Sequence, residues 1–119
     1  MANPAPDIIP SSIASRQAIS VVIAVTPANT PKNLYTLLAA VSGYASIIRN
    51  ACELIIQNTG ATTIALGRST MATIADGEQL LSQASDTRGP FEKNTISLTD
   101  IWLISDADNG SVVITALSA

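Results

Sequence analysis

The chain has 119 residues, of which 47% are hydrophobic and only 13% are charged, and its net charge is −3. This length suffices for one domain with one core, and the hydrophobic content excludes a disordered chain. The six Lys and Arg residues are scattered, which argues against direct nucleic-acid binding. With no His and a single Cys, the sequence excludes a zinc site, His-based catalysis and an internal disulfide.

Residues 1–15, MANPAPDIIPSSIAS, are Pro-rich and show no hydrophobic period. Proline blocks helix and sheet and stiffens a chain toward polyproline II, so the sequence predicts an extended N-terminal arm. Two interpretations remain open for it: a frayed terminus, or an arm that docks on a neighbouring molecule. In the second case the candidate interface residues are Pro4, Pro6, Ile8, Ile9 and Pro10. Residues 16–119 are expected to form a single β domain.

Residues 17–26, QAISVVIAVT, alternate in a period of two and predict a strand. The apolar run within it, residues 18–25, is too short to span a membrane. The acidic, Pro-rich residues before it do not fit a secretory signal. We therefore expect a chain that is made in a cytoplasm and has no membrane partner.

The period changes at residues 30–43, where apolar residues follow helical spacing. Thr30 suits the N-cap, Pro31 the first helical position, and Gly43 the left-handed position after the end. The sequence predicts a helix over residues 31–42, with a core-facing stripe formed by Leu34, Leu37, Leu38 and Val41.

A period of two then returns. Residues 51–58, ACELIIQN, predict a strand in which Cys52 is a small core residue on the same side as Leu54 and Ile56. Residues 78–83 are consistent with a strand or with one helical turn. Further strands are expected at residues 64–67, at residues 94–105 in two pieces that meet at Thr99 and Asp100, and at residues 112–117.

The acidic stretch at residues 106–110, DADNG, has two interpretations. As a calcium loop it fails, because the third ligand comes one position early and the twelfth position is Leu117, where an EF-hand needs Glu. As a turn it fits, because Asn109 and Gly110 tolerate the positive φ of a two-residue type I′ turn. Since β-branched residues flank it, the sequence predicts the tip of a β-hairpin.

Such a hairpin would have two faces. The face expected to point into the core carries Ile101, Leu103, Ser105, Ala107, Val112, Ile114 and Ala116. The other face carries Trp102, Ile104 and Leu117, although the outer face of a monomeric sheet is normally polar. These three residues should be covered either by a loop of the same chain or by a neighbouring subunit, and in the second case they are interface residues.

Nothing in the sequence predicts catalysis. No two carboxylates form a recognisable pair, and one Trp, two Tyr and one Phe offer no evident sugar platform. There is no Gly-rich phosphate loop and no nucleophile elbow, and a thiol without His lacks its usual activating partner. We therefore expect no enzyme, no catalytic residue, no cofactor and no metal site.

About seven short strands with regular turns indicate a mainly β fold. We expect a small antiparallel β-sandwich or barrel, with one short α-helix and the extended N-terminal arm.

Several segments together resemble a known class of protein. In order they are a helix that opens with Asn-Leu-Tyr, a strand that reads Cys-Glu-Leu-Ile-Ile-Gln-Asn, a short strand that ends in Leu-Gly, and an Ile-Trp-Leu-Ile strand before the last turn. Over residues 30–117 this arrangement is similar to small virion structural proteins of tailed bacteriophages. The resemblance transfers no catalytic residue and does not extend to residues 1–15.

The resemblance implies a β domain that works as a piece of an oligomeric assembly in the virion. Few charges, an acidic balance and an extended arm favour a capsid decoration (cement) protein, which would bind the major capsid protein and bridge capsomers, with a homotrimer as the expected form. One alternative is a tail, neck or head-fibre component. Another, from a different class, is a cellular β-module that binds a small ligand or a glycan.

Overall fold

A computed structural model describes residues 18–41 and 49–118, so the predicted arm at residues 1–15 and its five candidate interface residues lie outside the described residues. The described chain is mainly β, as the sequence predicted, with one α-helix and two 3-10 helices. In chain order the elements are β1 (Ala18–Val25), β2 (Lys32–Asn33), α1 (Leu34–Ala39), β3 (Asn50–Ala51), β4 (Glu53–Asn58), β5 (Ile64–Gly67), a 3-10 helix (Ile74–Asp76), β6 (Glu78–Leu80), β7 (Ser85–Arg88), β8 (Ile96–Ser97), a second 3-10 helix (Leu98–Asp100), β9 (Trp102–Ser105) and β10 (Gly110–Leu117).

The strands form two four-stranded antiparallel sheets and one two-stranded pair. The first sheet has the order β1-β10-β4-β7, the second sheet has the order β2-β9-β5-β6, and β3 pairs with β8. In the first sheet, β1 pairs with β10 along its whole length, from Ala18 opposite Leu117 to Val25 opposite Gly110. The first strand of the described chain is therefore held by the last.

The main core lies between the two sheets, because alternate residues of every long strand point inward. Along β1, for example, Ile19, Ile23 and Val25 are buried, whereas Ser20 and Val22 are exposed. The largest fully buried side chains are Leu34, Leu38, Leu54, Ile56, Ile64, Leu98, Leu103, Ile104, Ile114, Val25 and Val112. Each stabilises the fold by about 1.5–3 kcal/mol relative to an exposed position. Of the two architectures that the sequence left open, a sandwich and a barrel, the antiparallel sandwich is the one present.

The predicted β-hairpin at Asn109 and Gly110 is wrong. β9 pairs with β2 and β5 in the second sheet, whereas β10 pairs with β1 and β4 in the first, so the turn carries the chain across the sandwich. Neither Asn109 nor Gly110 has a positive φ; in the described chain the residues that do are Asn29, Gln83 and Gly89. The Asn-Gly pair therefore predicted the turn correctly. The prediction that the strands on either side of the turn pair with each other is the part that is wrong.

Packing explains why a glycine is needed there. A side chain at Gly110 would collide with the side chain of Ser105 and would lie 2.8 Å from the carbonyl oxygen of Val25. The Ser105 hydroxyl donates to the carbonyl of Ala107 at 2.8 Å and accepts from its amide at 3.2 Å, which tightens the turn. The inward face predicted for both strands is nevertheless confirmed, since Leu103, Ser105, Val112, Ile114 and Ala116 are all buried; burial alternates along β10, whereas in β9 the outward Ile104 is buried as well.

The helix begins later than predicted. Its N-cap is Asn33 and not Thr30; the Asn33 side-chain oxygen accepts from the amide of Thr36 at 3.1 Å. The start shifts because Lys32 and Asn33 pair with Leu103 and Trp102 of β9, which keeps the chain extended past Pro31. The predicted stripe holds in part, with Leu34 and Leu38 buried and Leu37 packed against the core. Gly43, the predicted C-terminal position, lies outside the described residues.

The other strand predictions agree with the structure except at residues 51–58, where the chain divides at Cys52 into β3, which pairs with β8, and β4 of the first sheet. The two pieces within residues 94–105 are β8 and β9, joined by the 3-10 helix at Leu98–Asp100. Residues 78–80 form a strand, which settles the open choice there. Cys52 is buried as predicted, and its thiol donates to the carbonyl of Leu117 at 3.2 Å.

Candidate interaction surfaces

The three candidate interface residues of the predicted hairpin fall on two different sheets. Trp102 and Ile104 lie on the outer face of the second sheet, and Leu117 lies on the outer face of the first. Ile104 is fully buried within the chain, and Trp102 and Leu117 are half-buried. Ile104 therefore offers no surface to a neighbouring subunit, because the chain itself covers it.

The cover is the segment between β5 and β6, residues 68–77, which we call the covering segment. Its Met71 is 4% exposed and forms a small second cluster with Ala65 and Ile104, against which Ile74 and Trp102 pack. Of the two covers that the sequence left open, a loop of the same chain is the one present at Ile104 and Trp102.

Two glycines make room for this cover. A side chain at Gly67 would place its Cβ 2.8 Å from the sulfur of Met71, and one at Gly77 would place it 2.7 Å from the same sulfur. Real Cβ atoms do not approach that closely. The thioether therefore occupies the space that the two missing side chains leave, which fits the use of Met as a filler of irregular gaps.

The end of the covering segment is fixed by a capping box on the 3-10 helix Ile74–Asp76. The hydroxyl of Thr73 accepts from the amide of Ala75 at 3.3 Å. In return the carboxylate of Asp76 accepts from the amides of Ala72 at 2.8 Å and Thr73 at 3.1 Å. These two hydrogen bonds, that from Ala72 first, lower the pKa of Asp76 below its ordinary value of 3.8.

The outer face of the first sheet has no such cover within the described chain. We call it the open face; by the strand register its residues are Ala18, Ser20, Val22 and Ala24 of β1, Ser111, Val113, Thr115 and Leu117 of β10, Glu53, Ile55 and Gln57 of β4, and Ser85 and Thr87 of β7. Among these described residues only Glu53 is charged. Val22 is 64% exposed, although it is a large aliphatic side chain. The open face is thus broad, nearly uncharged and partly apolar.

Two open grooves meet at Asp100. The first has a volume of about 520 Å³ and is lined by Phe91, Arg88, Asp100 and neighbouring Thr and Ser residues. The second has a volume of about 450 Å³ and is lined by Arg68, Ser69, Thr99, Asp100 and Trp102. Phe91 lines the first groove and is half exposed, and Trp102 lines the second and is half-buried. Each groove therefore has one aromatic ring beside charged and hydroxyl groups.

Sequence reasoning missed these grooves and found no aromatic platform. The lining residues come from the covering segment, from β7 and the loop after it, from β8 and the 3-10 helix at Leu98–Asp100, and from the start of β9. No spacing in the sequence links Phe91 or Arg68 to Asp100. Only the fold brings them together.

The acidic stretch at residues 106–108 serves the backbone. The carboxylate of Asp106 accepts from the amide of Thr63 at 3.1 Å, and that of Asp108 accepts from the amide of Ala28 at 2.8 Å. Each therefore ties the crossing turn to a different loop. In the part of the chain that the structure describes, no three His, Cys, Asp or Glu residues are grouped so as to hold a metal ion.

Asn58 forms the other polar anchor and is fully buried at the end of β4. Its side-chain amide donates to the carbonyls of Thr62 at 2.6 Å and Leu80 at 2.9 Å, and its oxygen accepts from the amide of Gly60 at 3.1 Å. Every buried side-chain polar atom among the described residues has a partner. None is left aimed at an absent ligand.

Comparison of the chain with protein-family models, with curated proteins and with solved structures finds no match. In the described ranges, no helix has the length and apolar character needed to cross a membrane.

Proposed function

We propose that this chain is a non-enzymatic virion structural protein, most specifically a capsid decoration protein that binds the major capsid protein and bridges capsomers. The observation that supports this is the open face. It is broad, it carries one charge among thirteen positions, and the described chain leaves it uncovered. A surface of this kind suits attachment through many shallow contacts, and multivalency then makes weak individual contacts sufficient.

Self-association belongs to the proposal, and a trimer is the form that the resemblance implies. The N-terminal arm belongs to it as well: Ile8 and Ile9 would each contribute about 1.5–3 kcal/mol if docking buried them fully. A chain without residues 1–10 should then keep its melting temperature and lose capsid binding. Equal binding by the truncated and full-length chains would remove the arm from the proposal.

Co-sedimentation with expanded empty capsids, built from the major capsid protein encoded in the same genome, tests the role of the open face. Thr115→Glu places a charge in the middle of this face, and Thr70→Glu places the same charge on the exposed side of the covering segment as a matched control. We expect the first variant to lose capsid binding and the second to retain it, with both melting as folded chains. Equal binding by the two variants, or no binding by the unmodified chain, would contradict the proposal. Binding to purified tails but not to capsids would instead support the tail, neck or head-fibre alternative.

A second candidate, a glycan-binding β-module, is favoured by the grooves at Asp100. Aromatic rings such as Phe91 and Trp102 pack against the apolar faces of sugars, while Arg and Asp side chains hydrogen-bond to hydroxyl groups. Phe91→Ala and Asp100→Asn change the grooves without entering the core, since both residues are exposed. Binding to a glycan array that these variants abolish would establish this candidate, and an array without signal would dismiss it.

A further inference from the structure

The two sheets end in four edges, and three of them are blunted. A free edge exposes unpaired backbone N–H and C=O groups, which proteins normally protect with short strands, charges or proline. β2 has two residues and β6 has three, so each offers little backbone to a partner. β7 has four residues and is followed by Pro90.

β7 also carries charges on its inner side. Asp86 lies opposite Ile56 and Arg88 lies opposite Leu54, so both charged residues share the core-facing side of the sheet. Their side chains form an ion pair of 3.0 Å. Inward-pointing charges at an edge oppose the addition of another strand, because pairing would remove them from water.

β1 is neither short nor charged; like β7, it is followed two residues later by a proline, Pro27. It has eight residues, AISVVIAV, without a charge or a proline. It pairs with β10 on one side, and no described strand pairs with its other side. Its core-facing Val21 is only half-buried and its outward Val22 is 64% exposed. The described residues therefore leave the core incompletely closed along this edge.

From these observations we infer that the free edge of β1 pairs with β1 of a second copy of this chain, in antiparallel orientation. The occupant must be an extended segment, because only a strand satisfies a row of backbone groups. β1 is the one described strand of this length whose edge is free, since β10, of equal length, is paired on both sides. Because β1 contains no charged residue, the β1 strands of two copies would not repel each other.

The pleat limits the register. Residues directly opposite each other in an antiparallel pair point to the same face, so core-facing residues must meet core-facing residues. The register that places Val22 opposite the partner subunit's Val22 meets this condition. It also places Val21 opposite the partner's Ile23 on the core side. The most exposed aliphatic residue and the half-buried core residue are then both covered.

This pairing would also limit the assembly to two copies. The joined sheet would have eight strands, and β7 would form both of its outer edges. Because β7 is short and charged on its inner side, a third copy would find no free edge like that of β1. A strand that pairs with itself closes at two copies. This arrangement therefore predicts a dimer and departs from the trimer that the resemblance implies.

Light scattering on the full-length chain tests the inference through the mass, which should be twice the 12.3 kDa of the single chain. Val22→Lys would place two like charges against each other at the centre of the contact, and should weaken dimerisation by at least about tenfold. Leu81→Lys is the matched control, because Leu81 is 60% exposed and lies outside β1. It should leave the dimer intact.

A charge swap separates lost pairing from lost folding. Val22→Lys and Val22→Asp should each be monomeric, and mixing them should restore a dimer through opposite charges across the contact. A monomeric or trimeric unmodified chain, or a dimer that Val22→Lys leaves unchanged, would overturn the inference. Capsid binding is measured separately and can fail or hold whatever the mass shows, and a dimer would replace only the trimer that the resemblance implies.

Discussion

The outer faces of the two large sheets are built from similar apolar residues, yet only one of them is covered. On the second sheet, Ala65 and Ile104 are sealed by Met71 of the covering segment. On the first sheet, Val22, Ile55 and Val113 remain at least partly exposed. The difference arises from one connection, because the chain between β5 and β6 folds back over its own sheet. An apolar outer face is therefore not by itself a sign of a partner; it becomes one where the described chain supplies no cover.

The largest effect should come from removing a side chain beneath the cover. Ile104→Ala deletes buried methyl and methylene groups and leaves a cavity, so we expect a loss of about 2–5 kcal/mol in the free energy of unfolding. Val22→Ala on the open face should change it by about 0.5 kcal/mol or less for the isolated chain. Chemical denaturation of both variants measures the contrast. Equal losses would show that the two faces do not differ as described.

The crossing between the sheets should be almost as sensitive. Gly110→Val would drive a side chain into Ser105 and the Val25 carbonyl, at a cost of about 1–3 kcal/mol for overpacking. Gly110→Asn distinguishes this cause from the backbone strain of a type I′ turn. Asn tolerates a positive φ, but its side chain would need the space that Ser105 and the Val25 carbonyl already occupy. The Gly110→Asn variant should therefore also have a lower melting temperature. A stable Gly110→Asn variant would restore the hairpin interpretation.

A substitution at Gly77, the last residue of the covering segment, should disturb its packing. Gly77→Ala places a Cβ 2.5 Å from the carbonyl oxygen of Leu66 and 2.7 Å from the sulfur of Met71, and we expect a loss of about 1–3 kcal/mol as the segment shifts. Gly60→Ala is the control, because its nearest neighbour would lie 3.6 Å away, at ordinary contact distance. Denaturation midpoints of the two variants should differ. If Gly60→Ala proves equally harmful, the loss cannot be ascribed to crowding against Leu66 and Met71.

The smallest effect should be a pH dependence of the cover. The pKa of Asp76 is lowered in the folded chain, so its contribution to stability is present above the unfolded pKa, near 3.8, and is lost as the pH falls through the lower folded value. Asp76→Asn should therefore melt earlier than the unmodified chain at neutral pH. The gap in melting temperature should narrow as the pH falls below 3.8. A gap that stays constant with pH would contradict the role given to the carboxylate.

How much the sequence could predict varies with the range of the interaction. β1 was predicted to within one residue at each end, because its alternation is local and uninterrupted. The helix start was missed by three residues, since Thr30 and Asn33 are both good caps and only pairing with β9 decides between them. A small antiparallel sandwich or barrel followed from the number and spacing of the strands. The choice of strand partners did not, because Asn-Gly specifies a turn and says nothing about which sheet receives the next strand.

The surfaces were the hardest to predict. The apolar outer residues Trp102, Ile104 and Leu117 were recognised as needing cover, but residues 68–77 have no period that would identify them as that cover. The grooves at Asp100 combine segments that are far apart in the chain. Such features depend on tertiary packing, which overrides local pattern.

The close fit of Met71 between two glycines also makes the covering segment sensitive to oxidation of this methionine. A thioether can be oxidised to a sulfoxide, which adds a polar oxygen to a flexible, apolar side chain. Neither Gly67 nor Gly77 leaves room for that oxygen, because the sulfur already fills the gap. An oxidised chain would lift the covering segment and expose Ile104 and Trp102. Storage in peroxide would thus turn a protein with one apolar outer face into one with two, and the added face would favour aggregation.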